Sequence, residues 1–223
     1  RQINMEGTTT QLLAIVANIR GAQDAVQFAN ITYLGFPFSI SETFQRLNTN
    51  STIQESWERV LQIQDLCSKH QKQLVIYISM GFGNPYGDPY DEMVIGHWID
   101  KMEQAGIRII SLADTVGLAT AAMVHRITQA TVNAFPQLQI GVHLHSTAAG
   151  LGEKLDAALL AGCTRFDGAM KGIGGCPMAN NDLVGNMDTE SMIMHLGAKG
   201  YHLSIHQDLL SEAGSMASQI FQR

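Results

Sequence analysis

Cysteine is scarce. Cys67, Cys163 and Cys176 are the three in 223 residues, too few and too scattered for a disulfide framework. That scarcity points to a reducing, cytoplasmic compartment, or the mitochondrial matrix if the source is eukaryotic. Charge of one sign is also in short supply: 14 Lys and Arg against 20 Asp and Glu give a net charge of −6. There is no general basic face, which argues against a nucleic-acid partner while leaving room for a local basic patch facing an anionic substrate. Long apolar runs are missing too. Gln11-Leu-Leu-Ala-Ile-Val-Ala and Gly106-Ile-Arg-Ile-Ile-Ser-Leu-Ala are far shorter than the roughly 18 residues a membrane span needs, so the chain reads as soluble, with no membrane partner. No charged-then-apolar leader opens the sequence, and Arg1 stands where Met would; the expectation is a chain that starts partway through a gene product.

What is present is a large apolar fraction, 45%, with 15% charged residues, which suits a well-buried globular fold. Apolar runs of strand length alternate with longer stretches of helical period, the pattern of repeated βα units around a parallel sheet. Strands are expected at Leu12–Val16, Ile31–Phe36, Leu74–Ser79, Ile107–Ala113, Leu138–His145 and Arg165–Ala169. Helices are expected near Ala22–Ala29, Ile53–His70, Asp91–Gln104, Ala121–Phe135 and Gly152–Ala161, with two more after Thr189. Thr52 stands three residues before Glu55, the spacing of a capping box, and Gly106, Gly162 and Gly200 fall where helices should end. No linker-like tract divides the chain, so residues 1–223 read as one domain.

Six strands fit two architectures. A closed (β/α)8 barrel takes eight strands and about 250 residues, so two βα units would be missing. A doubly wound open sheet accommodates six, but it normally carries a Gly-rich phosphate turn after its first strand, and Ala17-Asn-Ile-Arg-Gly21 is not one. The choice falls to the chemistry.

In Gly141-Val-His-Leu-His-Ser-Thr147 two histidines stand two residues apart at the end of a strand, which puts both imidazoles on one face. At the C-terminal end of a barrel strand that face looks into the mouth, where such folds place their active sites. Imidazole is the commonest neutral metal ligand, and a His-x-His pair can converge on one ion. The same pattern also suits two structural histidines bonded to neighbouring loops. Gly172-Ile-Gly-Gly-Cys-Pro-Met-Ala179 follows the next strand; its glycines make a loop able to carry Cys176 over a pocket as an acid or base, or an ordinary loop with an incidental thiol. Cys67 and Cys163, on helical or turn segments, read as packing residues. In Ser111-Leu-Ala-Asp-Thr-Val-Gly117 an apolar strand ends in Asp114, either a carboxylate at the same mouth or a cap for the next helix.

Taken together, Asp114-Thr-Val-Gly, His143-x-His145, Gly-Gly-Cys176-Pro and Gly185-Asn186 occur in the order and approximate spacing of the 3-hydroxy-3-methylglutaryl-CoA lyase family, which this chain resembles over essentially its whole length. Ser41-Glu-Thr-Phe after the second strand and Asn84-Pro-Tyr86 after the third extend the likeness. The family belongs to the metal-dependent lyases and Claisen-type synthases built on TIM barrels. The resemblance therefore implies a TIM-barrel catalytic domain whose first two βα units precede Arg1. It implies that His143, His145 and Asn186 ligate Mg2+ or Mn2+, that Cys176 is a mobile-loop acid/base, and that Asp114 and His143 are catalytic. Lys171, beside the Cys loop, and Asn84 become expected contacts to an acyl-CoA substrate, and a homodimer is expected. The implied reaction cleaves 3-hydroxy-3-methylglutaryl-CoA, or a close analogue, to acetoacetate and acetyl-CoA.

The chain departs from the family pattern in two places. The Arg-Asp pair of the family's first strand, which supplies a metal ligand and stabilises the enolate, and a Glu of its second strand have no counterpart here; they are expected upstream. Ser146 stands where the family commonly has an acid or amide. Two further readings stay open: a condensing enzyme of the isopropylmalate or homocitrate type, or an aldolase on a hydroxy-oxo acid; and a noncatalytic barrel that only binds. Gly-Gly-Cys-Pro in place of the synthases' Gly-Glu-Arg-type loop favours the lyase.

Overall fold

A computed structural model describes residues 3–175 and 184–221. Strands β1 (Leu12–Ile15), β2 (Ile31–Ser39), β3 (Gln73–Ser79), β4 (Ile109–Ala113), β5 (Gln139–His143) and β6 (Arg165–Asp167) form one sheet in sequence order. β1 pairs with β2, β2 with β3 and β5 with β6, all parallel. Between them run helices α1 (Ile19–Ala25), α2 (Glu42–Thr49), α3 (Ile53–Lys69), α4 (Glu92–Gln104), α5 (Ala121–Ala134) and α6 (Leu151–Leu160), followed by α7 (Thr189–Ala198) and α8 (Gln207–Ile220). The alternation is α/β, and the strands read as nearly unbroken apolar runs because a parallel sheet is buried on both faces: in β3, Leu74, Val75, Ile76 and Ile78 are all buried.

The chain divides into two compact units. One comprises Arg1–Ser79, Tyr86–Ser111 and Gln137–Gln139. Its core is built from Leu34, Phe36, Phe38, Ile63, Ile76, Ile95 and Ile99, with the Phe38 ring edge-on to Trp57 and Trp98. The other comprises Met80–Pro85, Leu112–Pro136 and Ile140–Arg223, and buries Met80, Phe82, Leu112, Val124, Ile127, Val142, Leu144 and Leu155.

Local chemistry explains most element ends. The expected capping box forms at α3, with the Thr52 side chain accepting from Glu55 N and the Glu55 side chain accepting from Thr52 N. After α4, Gly106 takes φ +83°, and the N–H groups of Gly106 and Ile107 turn back to the carbonyls of Glu103 and Met102, a termination that a side chain at Gly106 would strain. Two expectations need correction. The first helix starts at Ile19 rather than Ala22, because the Asn18 side chain accepts from Gly21 N and caps it. The fifth strand stops at His143 rather than His145, because the Leu144 carbonyl accepts from Met187 N and the chain exchanges its partner there.

α2 lies where no helix was expected. Ser41 caps it, accepting from Phe44 N while donating to Asp88 Oδ2; Asp88 also accepts from Thr43 N at 2.9 Å and from Thr43 Oγ1 at 2.8 Å. The Ser41 hydrogen bond is the main cause holding the Asp88 carboxyl below its ordinary range, so the stabilisation is present at neutral pH and lost as acid protonates Asp88. Ser41→Ala is expected to lower unfolding stability by about 1–2 kcal/mol at neutral pH, the cost of a lost N-cap. A denaturant midpoint indistinguishable from that of the parent would contradict this assignment.

Candidate metal centre

The site is built where β4 and β5 end, within the second unit. Asp114 follows β4, and its backbone N–H donates to the His143 carbonyl at 2.9 Å, tying the two strand ends together. Its carboxylate is enclosed: Oδ1 accepts from Ala119 N at 3.1 Å, and Oδ2 lies 3.3 Å from Lys154 Nζ. The Asp114 side chain is 1% exposed. Lys154, on α6, also donates to the His145 carbonyl at 2.6 Å.

His143 is half-buried at the tip of β5, in register with Asp167 on β6, and His145 is buried. Their ring centroids are 5.7 Å apart at an interplanar angle of 69°. Beyond His143 the chain pairs antiparallel with the segment around Asn186: Met187 N donates to Leu144 O, Ser146 N to Gly185 O, and His145 and Asn186 form a bridge. This short ladder brings Asn186 to the two histidines. The Asn186 side-chain nitrogen donates to Ile173 O at 2.9 Å, which fixes the amide orientation. Its Oδ1 is buried without an acceptable hydrogen-bond donor, although the amide lies close enough to His143 to favour the charged ring.

Burial is the largest cause holding both imidazoles below the ordinary histidine value; Asp167 partly offsets it at His143, and the His143 charge adds to it at His145. His145 is further fixed by a hydrogen bond to the Val184 backbone. The folded chain therefore binds fewer protons at these rings than the unfolded chain. Their contribution to stability is full above about pH 6.5 and falls as pH drops below it towards the lowered folded values. The melting temperature is expected to fall between pH 7.5 and 5.5, and to fall less when His145 is replaced by Asn; equal slopes for the two proteins would contradict the burial argument.

The donor set fits a divalent ion. Two imidazoles kept neutral by burial stand beside a buried carboxamide oxygen that makes no hydrogen bond of normal geometry, and such an acceptor is costly unless something positive reaches it. Among the described residues no group of three or more His, Cys, Asp or Glu has metal-ligand spacing, so a three-donor set here would need the amide oxygen.

The other expected site residues lie differently. Cys176 falls outside the described residues. Lys171 sits at φ +58°, with Nζ 3.2 Å from Glu190 Oε1 and its backbone N–H on Glu190 Oε2, so its ammonium is committed to an ion pair. Asn84 is half-buried in the loop after β3. Cys67 and Cys163 are buried, and burial pushes each thiol up to about 11, which suits packing rather than reactivity. Lys154 escaped the sequence reading. The available signal was a lysine near the N-terminus of a helix, where the dipole disfavours a cation unless a carboxylate compensates.

Residues 1–216 match the family model described as HMGL-like. The chain is 28% identical over 201 residues to the 3-hydroxy-3-isohexenylglutaryl-CoA/hydroxymethylglutaryl-CoA lyase of Pseudomonas aeruginosa, an alignment covering 90% of this chain and 66% of that protein. It thus spans just under two thirds of that relative's length. The crystal structure of a hydroxymethylglutaryl-CoA lyase from Pseudomonas aeruginosa superposes with a TM-score of 0.86 at 27% identity, covering 96% of this chain and 70% of the other. An HMG-CoA lyase from Acinetobacter baumannii, solved in complex with coenzyme A and 3-methylmalate, gives a TM-score of 0.82 at 27% identity, covering 93% and 67%.

Proposed function

The chain belongs to the HMGL-like family, and from that premise we propose that it forms the catalytic domain of a divalent-metal-dependent carbon–carbon lyase acting on 3-hydroxy-3-methylglutaryl-CoA or a close 3-alkyl analogue. Its six βα units correspond in this reading to six of the eight of a (β/α)8 barrel. The observation that carries the proposal is the buried, donorless Oδ1 of Asn186 beside the paired, uncharged imidazoles of His143 and His145. These three groups would hold Mg2+ or Mn2+. Bound there, the ion supplies Lewis acidity to the substrate's oxygen atoms.

The reaction removes a proton from the 3-hydroxyl, breaks the bond between C2 and C3, and delivers a proton to C2 of the departing thioester enolate. His143, kept uncharged by burial, gives its one ring lone pair to the ion in this reading, so proton removal at the hydroxyl falls to a separate base at the barrel mouth. Cys176, on the Gly-rich loop, serves proton delivery to C2. Asp114, closed off by Lys154 and Ala119, holds the His143 carbonyl rather than acting as an open base. Relatives named for acyl-CoA cleavage, and a neighbour solved with coenzyme A, support an acyl-CoA substrate. Asn84 is assigned to that substrate; Lys171 joins it only by leaving Glu190. The same family reading carries a homodimer and a cytoplasmic or mitochondrial-matrix setting. Among the described residues no helix is long and apolar enough to cross a membrane.

The test is to incubate the intact protein with 3-hydroxy-3-methylglutaryl-CoA and Mg2+, with and without a chelator, and to measure acetoacetate. Acetoacetate formed with Mg2+ and suppressed by chelation is expected. No acetoacetate in either arm would overturn the lyase reading, and acetoacetate that survives thorough chelation would overturn the role of the metal.

A further inference from the structure

Lys154 is an unusual lysine. Its side chain is 12% exposed and that of its partner Asp114 is 1% exposed, whereas the surface pair Lys69–Asp65 is 66% and 61% exposed. An enclosed ammonium beside a cluster meant to receive a dication is electrostatically out of place, since like charges repel strongly where water is excluded. Its position makes sense through what it holds. The carbonyls of the three residues at the β5 tip are each gripped by a different donor: His143 O by Asp114 N at 2.9 Å, Leu144 O by Met187 N at 3.2 Å, and His145 O by Lys154 Nζ at 2.6 Å. Because Lys154 Nζ also reaches Asp114 Oδ2, one ion pair closes a ring that contains the backbones of both histidines.

We propose that Lys154 is a positioning residue for the ion site: its ammonium, anchored by Asp114, fixes the His145 peptide so that the His145 ring meets His143 and Asn186 in ligating geometry. The inference rests on the reading of His143, His145 and Asn186 as a divalent-ion site. Asp114 prevents the buried cation from acting on the ion as an uncompensated charge, and α6 delivers the cation at the first helical turns after the His145 loop. In this account the sequence spends a lysine on backbone geometry, as outer partners of metal ligands commonly do.

Coulomb's law alone predicts the opposite sign for the decisive experiment, which makes it discriminating. Replacing Lys154 by Met removes a cation and leaves the Asp114 anion, so a purely electrostatic role predicts tighter Mn2+ binding. The positioning role predicts Mn2+ binding weakened by about 10- to 100-fold, with partial recovery in Lys154→Arg. Mn2+ affinity is read by electron paramagnetic resonance of the free ion in titrations of the intact protein, with circular dichroism to verify folding. If Lys154→Met fails to fold, the double variant Lys154→Met/Asp114→Leu removes both buried charges and is expected to fold with the same weakened binding.

Imidazole 15N–1H correlation spectra of the metal-free protein provide a readout independent of the ion. The parent should show one His145 tautomer bonded towards Val184, and Lys154→Met should show averaged tautomers. Unchanged or tightened Mn2+ binding together with an unchanged His145 spectrum would overturn the proposal. Failure of the parent itself to bind Mn2+ would overturn the metal-site reading instead, while the His145 spectra would still decide whether Lys154 positions the ring.

Discussion

His145→Ala is expected to reduce lyase turnover by roughly a hundred- to a thousandfold, the consequence of losing a few kcal/mol of transition-state stabilisation at about 1.4 kcal/mol per tenfold. The side chain is buried, sits 5.7 Å ring to ring from His143, and faces the segment that carries Asn186. Removing it deletes one of the three proposed donors and opens a gap that water can enter. Cys176→Ala serves as the matched control: it removes the assigned proton donor but no metal donor, so turnover should fall while Mn2+ binding stays as in the parent. Comparing metal content and initial rate for the two variants checks the division of labour. Equal loss of metal in both would contradict it.

Phe38→Ala should cost about 3–5 kcal/mol of stability, a large share of the roughly 5–15 kcal/mol that holds an ordinary domain folded. Phe38 is fully buried on β2, its ring 4.8 Å from that of Trp98 and 6.4 Å from that of Trp57, both at edge-on angles. Lys101 extends over both indoles, with Nζ 4.7 Å from the Trp98 centroid and 5.9 Å from that of Trp57, so the two rings have a second partner that opposes their moving into the void. Urea unfolding followed by tryptophan fluorescence measures the cost directly. A loss below about 1 kcal/mol would mean that the two indoles repack without Phe38.

These two residues show how unevenly the molecule is written into its sequence. Phe38 lies beyond Phe36, where the second strand was expected to end; the apolar run announced the strand, as a parallel strand buried on both faces must, but β2 continues past Pro37 to Ser39. The His143-x-His145 pair was legible for a similar reason, since a period of two places both rings on one side whatever the rest of the chain does. Asn186 was not legible by itself. It reaches the histidines because the segment around it pairs with residues 144–146, a non-local event that no local pattern announces, and the family resemblance supplied it instead. The same pairing moved the end of β5 back from His145 to His143. α2 was missed because eight residues give little periodicity, and its cap depends on Asp88 far along the chain. Lys154 was not legible either, because its partner Asp114 lies 40 residues away in the chain and nothing local marks the His145 carbonyl as its acceptor. Lys171 went the other way: a cation beside a Gly-rich loop suggested an anionic substrate, and its partner in the fold is Glu190.

The decisive observation is an ion held by His143, His145 and Asn186. Titrating the intact protein with Mn2+ and counting free ion by electron paramagnetic resonance supplies it. One Mn2+ bound per chain, displaceable by Mg2+, abolished in His145→Ala and weakened at least tenfold in Asn186→Ala, is the predicted result. Binding of the same stoichiometry and affinity in the parent and in both variants would contradict it, because the ion would then be held somewhere else.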